Sequence, residues 1–417
     1  MKKYNKVLIP LLVVIFAALG CHKAADYVVI ESSSDSSRVL DLDPVFEEQT
    51  ITLNDIVDTM KVIALETTSE SILDDISLMK FTDNYIIIND RYKNGSIAIF
   101  DINGKFIRRI QSGNGPEDIN LVLNFDVDDR YLYTLQLEKV NKYTLTGEFV
   151  ESYPLFEKYQ MSFRSLKAVD EGFLLCADPY NSNSGNYEIL YTDKEFEKKN
   201  LFVFNHSFVG IGGSDYFKTL QNDVIFFPPM HNTVYRFDGN TFKLFYVLNY
   251  PKYENTFETN PNCSESGLDF FTKHCIRGKF FADGRIFQGN GIIYLTFPEG
   301  GTPPLKVYID TKSGNFRSGF IHSLNDDSVW PLTYGYVVCT YNDYFVQTLS
   351  PENYLVIPKG YDDWDCVAKH LEESVSQLKY ISSEDKNKIL TAKEDDNPLI
   401  ILYRLNSIQG DTTQETP

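Results

Sequence analysis

Polar and apolar positions alternate through IAIFDINGKFIRRI (residues 97–110), break at a turn and alternate again. The phrase returns as KYTLTGEFVESY, and more loosely as LYTDKEFEKKN and VYRFDGNTFKLFYV. Period-2 alternation on both sides of a turn rich in Gly, Asp, Asn or Thr predicts a β-hairpin. Aligned on the residue before the turn, the copies fall at Phe100, Tyr143, Tyr191 and Phe237, with a fifth, YIDTKSGNF, at Ile309. The intervals are 43, 48, 46 and 72 residues, so the first three share one period. Two further candidate strands precede each turn: ISLMKFTD and NYIIIND, LNFDVDD and RYLYTLQ, SLKAVDE and GFLLCAD, DYFKTLQN and DVIFFPP. Four strands every 40 to 50 residues is the signature of a β-propeller blade. A β-sandwich also has short strands, but it does not repeat one turn at one phase.

The interval of 72 reads as a blade plus an insertion, with a helical excursion expected near 255–278. The fifth blade then runs from KFFADGRIFQGN to NFRSGFIH. A sixth begins in WPLTYGYVVCTYNDYFVQTL and is interrupted near 361–395 by a helical pattern with apolar Val367, Leu371, Val375 and Leu378. NPLIILYRL from the C-terminus and QTITLNDIVDTMKVIALET from the N-terminus are expected to complete it. Joining both ends in one blade closes the ring and removes open sheet edges. The expectation is an all-β, six-bladed propeller of four-stranded blades over residues 49–410, with a disordered tail at 411–417.

The N-terminus adds a location. MKKYNKVLIPLLVVIFAALGC joins a basic start to an apolar run from Val7 to Leu19, too short for a membrane span and interrupted by Pro10. Residues 1–20 read as a signal peptide. ALGC is similar to the bacterial lipoprotein signal, with Ala18 where that signal favours Leu, which makes Cys21 the expected lipidation site. Residues 21–48, with ESSSDSSRVLDLD, read as the lipidated N-terminus and a flexible tether. The lipid would hold the protein at a membrane surface, expected to be the outer membrane of a cell envelope.

Composition narrows the partners. The chain is 43% hydrophobic and 14% aromatic, enough for a large core. Its net charge is −19, and −22 without residues 1–20, so the attraction to phosphate that drives nucleic-acid binding is missing. Five cysteines follow Cys21, an odd number. Cys263 and Cys275 share one irregular segment and are the candidate disulfide in an oxidising compartment, while Cys176 and Cys339 lie in strand-like runs and read as buried thiols.

IFDINGKFIRRI with GNGPED, PPMHNTVYRFDG, ITLNDIVDTMKVIALET and KEDDNPLIILYRL together resemble the six-bladed β-propeller lipoproteins of Bacteroides-type bacteria, whose hairpins are NHL-like. The resemblance spans about Ile51 to Leu405 and implies a propeller on a cell-envelope lipoprotein. It carries no catalytic motif.

In a four-stranded blade, the loop between strands two and three and the loop to the next blade open on one face, where ligands usually bind. These loops supply Arg91, Tyr92, Glu117, Tyr180, Asn181, His231 and Asn232 as candidate binding residues for a sugar, a peptide or an envelope protein partner. GNGPED lacks the Lys-Ser/Thr of a phosphate loop and reads as a tight crossover at Gly113, Gly115 and Pro116. Six histidines show no metal-ligand spacing, no cofactor motif is present, and no GxSxG, HExxH or Cys/His nucleophile pattern occurs. The reading is a noncatalytic ligand- or protein-binding propeller. A hydrolase or lyase acting on a glycan or peptide, and an architectural subunit of an outer-membrane complex, are the alternatives. A cluster of three or more acids or histidines converging on the channel would favour the enzyme.

Overall fold

NYIIIND is apolar at consecutive positions, and the computed structural model shows why. It describes residues 27–30, 38–47, 56–90, 95–113, 115, 117–178, 186–207, 215–255, 277–299, 304–319, 335–351 and 364–409. The N-terminal segment gives β1 (Val28–Ile30), β2 (Arg38–Asp41), α1 (Asp43–Glu47) and β3 (Val57–Ile63). Blade one is β4 (Ile76–Phe81), β5 (Tyr85–Asp90), β6 (Ser96–Asp101) and β7 (Phe106–Ile110). Blade two is β8 (Asn124–Val127), β9 (Tyr131–Leu135), β10 (Val140–Thr144) and β11 (Phe149–Tyr153), followed by α2 (Leu155–Tyr159). Blade three is β12 (Phe163–Val169), β13 (Gly172–Ala177), β14 (Asn186–Thr192) and β15 (Lys198–Ser207); blade four is β16 (Phe217–Leu220), β17 (Asp223–Phe226), β18 (Thr233–Phe237) and β19 (Phe242–Asn249). Blade five is β20 (Ile286–Gly289), β21 (Ile292–Phe297), β22 (Leu305–Asp310) and β23 (Phe316–Gly319). Blade six starts with β24 (Val337–Tyr341) and β25 (Tyr344–Leu349); after α3 (Trp364–Gln377) and α4 (Ser383–Thr391) come β26 (Leu399–Leu405) and, outermost, β3.

The first strands touch in the order β4, β8, β12, β16, β20, β24 and back to β4, which makes the arrangement a six-bladed β-propeller. One apolar cluster fills the space between each pair of neighbouring blades. Each blade therefore buries both faces. Ile86 and Ile88 of β5 pack toward blade six while Ile87 packs toward blade two. Strands buried on both faces read as continuous apolar runs.

The repeated turn has one chemical cause. Asp101, Asp193, Asp238 and Asp310 each accept two backbone N–H groups of their own turn on Oδ1, at 2.7–3.1 Å. In blade two the Thr144 hydroxyl accepts the Glu148 N–H at 3.0 Å instead. A short side-chain acceptor at this position mimics a backbone turn. Three residues on, Gly104 and Gly147 take positive φ. Phe196 stands there in blade three at φ 58, held by its stack on Phe173 at 4.3 Å and by the Tyr159 hydroxyl bound to its carbonyl.

Both chain ends close the ring as expected: β26 lies between β25 and β3, with Ile400 opposite Ile63 and Tyr403 opposite Met60. Arg404 donates to Asp58 across the seam at 2.6 Å. The helical insertion of blade six is present as α3 and α4; the buried Leu371 and Val375 of α3, Leu378 just beyond its end and Ile389 of α4 extend the layer between blades five and six. The excursion expected near 255–278 falls at 256–276 outside the described residues.

The tether expectation for 21–48 is corrected over part of its length. β1 pairs in parallel with β15 and β2 with β19, as fifth strands on blades three and four. Ile30, Leu42, Val45 and Phe46 are buried. The Phe46 ring sits 4.8–5.4 Å from Tyr250, Tyr253, Phe280 and Phe297. The outermost strands of these two blades are ten and eight residues long, and such edges are stabilised by a covering strand. The polar Ser-rich stretch beside this segment hides its inward apolar positions from a composition-based reading.

Candidate functional site

The ring brings the ends of short first strands together at its centre. Asp126 on β8 is 2% exposed and accepts the Lys167 ammonium of β12 at 2.8 Å and the Ala168 N–H at 2.9 Å on Oδ2. Its Oδ1 lies 3.6 Å from the Lys80 ammonium of β4. Lys218 on β16 binds both the carboxylate of Asp215, at 2.7 Å, and its carbonyl. Lys80 also feels the Asp215 carboxylate, although their blades, one and four, stand opposite each other in the ring. Cys339 of β24 is coupled to the same two groups, and burial pushes its thiol up to about 12.

Titration follows from this crowding. Burial opposes the charge on Asp126, and the Lys167 and Lys80 ammoniums outweigh it, holding the carboxyl below its ordinary value. Burial likewise opposes Asp215, and Lys218 and Lys80 bring it down to about 2. Burial also opposes Lys80, but Asp215 and Asp126 raise it above the ordinary lysine range.

A second polar set continues the first. Asp283, just before β20, accepts the Thr296 hydroxyl at 2.7 and 2.8 Å on its two oxygens, and Arg285 Nε lies 3.7 Å away. The Arg285 guanidinium stands 5.0 Å from the Tyr336 ring centre, and the Lys306 ammonium 5.7 Å from the same ring. Lys306 is buried and donates to the Gly335 carbonyl. Burial raises the Asp283 carboxyl and drops Lys306 to about 7. Lys218 couples to both Asp283 and Arg285, so the two sets are continuous. Asp215, Asp283 and Tyr336 each lie at the start of a first strand, the face onto which the loops between strands two and three open.

Four cations, Lys80, Lys167, Lys218 and Arg285, therefore face three carboxylates, Asp126, Asp215 and Asp283, in a chain of net charge −19. Every carboxylate has a cation beside it. Among the described residues, no three His, Cys, Asp or Glu side chains gather as a metal set. An open pocket of about 270 Å³ lined by Tyr153, Leu155, Glu157, Lys158, Glu195 and Phe196 lies beside the outer hairpins of blades two and three.

Of the residues singled out from the sequence, Cys21, Arg91, Tyr92, Tyr180 and Asn181 lie outside the described residues, as do Cys263 and Cys275. Glu117 is exposed, and its carbonyl accepts the Tyr143 hydroxyl at 2.9 Å. His231 is half-buried against the Tyr187 ring, at 6.0 Å. Asn232 commits both side-chain atoms at 2.6 Å, accepting the Tyr250 hydroxyl and donating to Glu254. Cys176 and Cys339 are buried and unpaired, as their strand runs suggest. The Gly-rich crossover closes on its own anion: the Asp118 carboxylate accepts the Gly115 N–H at 2.8 Å, and a Cβ at Gly113 would meet that carboxylate at 2.2 Å.

The channel residues were missed by sequence reasoning. Their signal is a charged residue at a fixed register in successive first strands: Lys80, Asp126, Lys167 and Lys218 each pair with an apolar or aromatic residue of strand two.

A family model described as Domain of unknown function (DUF4934) matches residues 37–404. The chain belongs to this family. The DUF4934 match starts inside the N-terminal segment and ends in β26, so it takes in β2 and α1 as well as the ring. Among solved structures, a Bacteroides fragilis protein named "Putative exported protein" aligns with this DUF4934 chain at TM-score 0.66 and 14% identity, covering 89% of this chain and all of that one. That likeness is one of fold. The WD40 domain of Neurospora crassa Pan2 (TM-score 0.36, 11% identity, 64% and 72% covered) and an extracellular domain from B. thetaiotaomicron (0.32, 11%, 71% and 32%) are far more distant. No curated protein matches the sequence. No described helix is long and apolar enough to cross a membrane.

Proposed function

We propose that this DUF4934 chain is a noncatalytic, NHL-like binding propeller of the bacterial cell envelope, exported by residues 1–20, held by lipid on Cys21, and taking a polar, anionic ligand at the channel mouth. The observation that carries the binding site is the convergence of Lys80, Lys167, Lys218 and Arg285 from four blades on one channel. Rigid scaffolds concentrate recognition in such places. Three acids, Asp126, Asp215 and Asp283, do gather at the first strands, the arrangement that would favour an enzyme, but each lies beside a cation, which argues against paired carboxylates acting as acid and base. The name of the Bacteroides fragilis neighbour supports a place outside the cytoplasm. Arg91, Tyr92, Tyr180 and Asn181, singled out from the sequence as loop residues, are kept in this proposal as further candidate contacts.

The test is a thermal-shift and calorimetric screen of neutral and acidic oligosaccharides and peptides against the parent and Lys80→Met. Lys80 is the substitution of choice because Asp126 keeps Lys167 and the Ala168 N–H without it. An acidic compound should raise the parent's melting temperature, by linkage, and lose most of its effect on Lys80→Met. Conversion of the hit to products would replace binding with catalysis. Equal binding by Lys80→Met and Lys167→Met would move the site out of the channel. Cys21→Ser should release the protein from the membrane fraction, and retention in high salt would show that something other than lipid holds it.

A further inference from the structure

The strand pair β1 and β2 turns part of a tether into a wall. Ile30 points into the layer between blades three and four, whereas Tyr27, Val28, Val29 and Val39 are 53%, 42%, 54% and 62% exposed. Four of the ten large hydrophobic side chains exposed among the described residues thus lie within residues 27–39, on one rim. Single exposed apolar residues need no explanation, but a concentration of them marks a contact surface.

The chain length from Cys21 says what that surface meets. Six steps separate Cys21 from Tyr27, and at ~3.5 Å per residue they reach at most about 20 Å. A folded body of this length has a radius of gyration of about 22 Å, so its far side stands more than twice that reach away. A free tether over the whole of 21–48 would span about 90 Å and choose no face. The buried Ile30, Leu42, Val45 and Phe46 remove that freedom. We infer that the rim built by β1 and β2 outside blades three and four is the face that lies against the lipid bilayer. This inference rests on the reading that Cys21 is lipidated.

The chemistry of the rim suits that occupant. Tyr places an apolar ring and a polar hydroxyl at the membrane–water boundary, and apolar side chains add partitioning to the lipid anchor. Because the rim is an outer edge of the ring, the channel axis runs along the membrane and the mouth opens sideways, clear of the bilayer.

The experiment uses the full lipidated chain in liposomes of phosphatidylethanolamine and phosphatidylglycerol. The photoreactive residue p-benzoylphenylalanine replaces Val29 or Val39, or Ile107 on β7 of blade one, which stands opposite blade four and is itself 41% exposed. Each variant is first checked for parent-like melting, and flotation of the liposomes reads the anchor separately. Expected are floating protein and phospholipid adducts at positions 29 and 39 at least about fivefold above those at 107, as interfacial burial of one rim requires. Floating protein with equal adducts at all three positions would overturn the orientation and leave the anchor standing. Adducts to a second copy of the chain at 29 and 39 would make the rim a protein interface. Failure of the parent to float would overturn the anchor and the inference together.

Discussion

The six layers between blades and the central channel are both interior to the ring, yet they are built from opposite chemistry. The layers hold Ile, Leu, Phe and Tyr side chains in mutual contact, such as Phe173 on Phe196 and Tyr308 bonded to Tyr403 at 2.9 Å between hydroxyls. The channel holds lysines and aspartates that pair imperfectly, with Lys80 3.6 Å from its nearest carboxylate. Apolar burial stabilises in proportion to area. Buried ion pairs roughly cancel their desolvation, so they are weak evidence of stability. The difference separates the parts of the molecule that hold the fold from those left for recognition.

The layers should be the more fragile. Deleting residues 398–417 removes β26, which supplies Ile400 and Leu402 to one layer and Ile401, Tyr403 and Leu405 to the next. No cooperative melting transition is expected, and a truncated protein that melts like the parent would take this strand out of the ring. Phe46→Ala empties an aromatic socket between blades four and five and should cost about 3–5 kcal/mol in denaturant unfolding. A cost under about 1 kcal/mol would make the N-terminal segment an optional cover.

The channel should answer unevenly. Asp126→Ala leaves two ammoniums without their carboxylate and is expected to cost about 3 kcal/mol. The depressed carboxyl of Asp126 contributes stability that is present above the ordinary carboxylate value near 4 and lost as pH falls through its lower folded value. Asp126→Asn should therefore show a shallower loss of stability in acid than the parent. Lys306 works in the opposite sense: with a folded value of about 7 against an ordinary 10.5, stability should rise between those pH values as the buried amine loses its proton less expensively than it keeps it. Lys306→Met should flatten that rise in melting temperature, and an unchanged slope would locate it elsewhere. The smallest effect belongs to Lys80→Met, within about 1 kcal/mol of the parent, since its partner keeps other donors. A larger loss would make the channel charges part of the framework and narrow the contrast with the layers.

The blade count, the closing strands from both ends and the helices α3 and α4 were legible because they rest on local pattern: a turn with Asp at a fixed phase, apolar alternation, and a 3.6-residue period. Val375 and Leu378, singled out by that period, are buried where it places them. The channel was not legible. Nothing near Lys80 in the chain announces Asp126, and still less Asp215. Residues 28–30 and 38–47 misled for a related reason, since their inward positions have no partner until β15 and β19 offer an edge.

Taken alone, the amino-acid sequence determined the element type, the repeat and the seam, because hydrogen bonding within a hairpin and burial of alternate side chains are short-range effects encoded within each period. Tertiary structure alone decided which charges meet in the channel and where the N-terminal segment docks. A propeller's centre exists only once six blades are placed around it, and electrostatic coupling depends on distance in space: Lys80, Asp126 and Lys167 come from three blades and stand more than forty residues apart in the chain, yet both ammoniums reach one carboxylate.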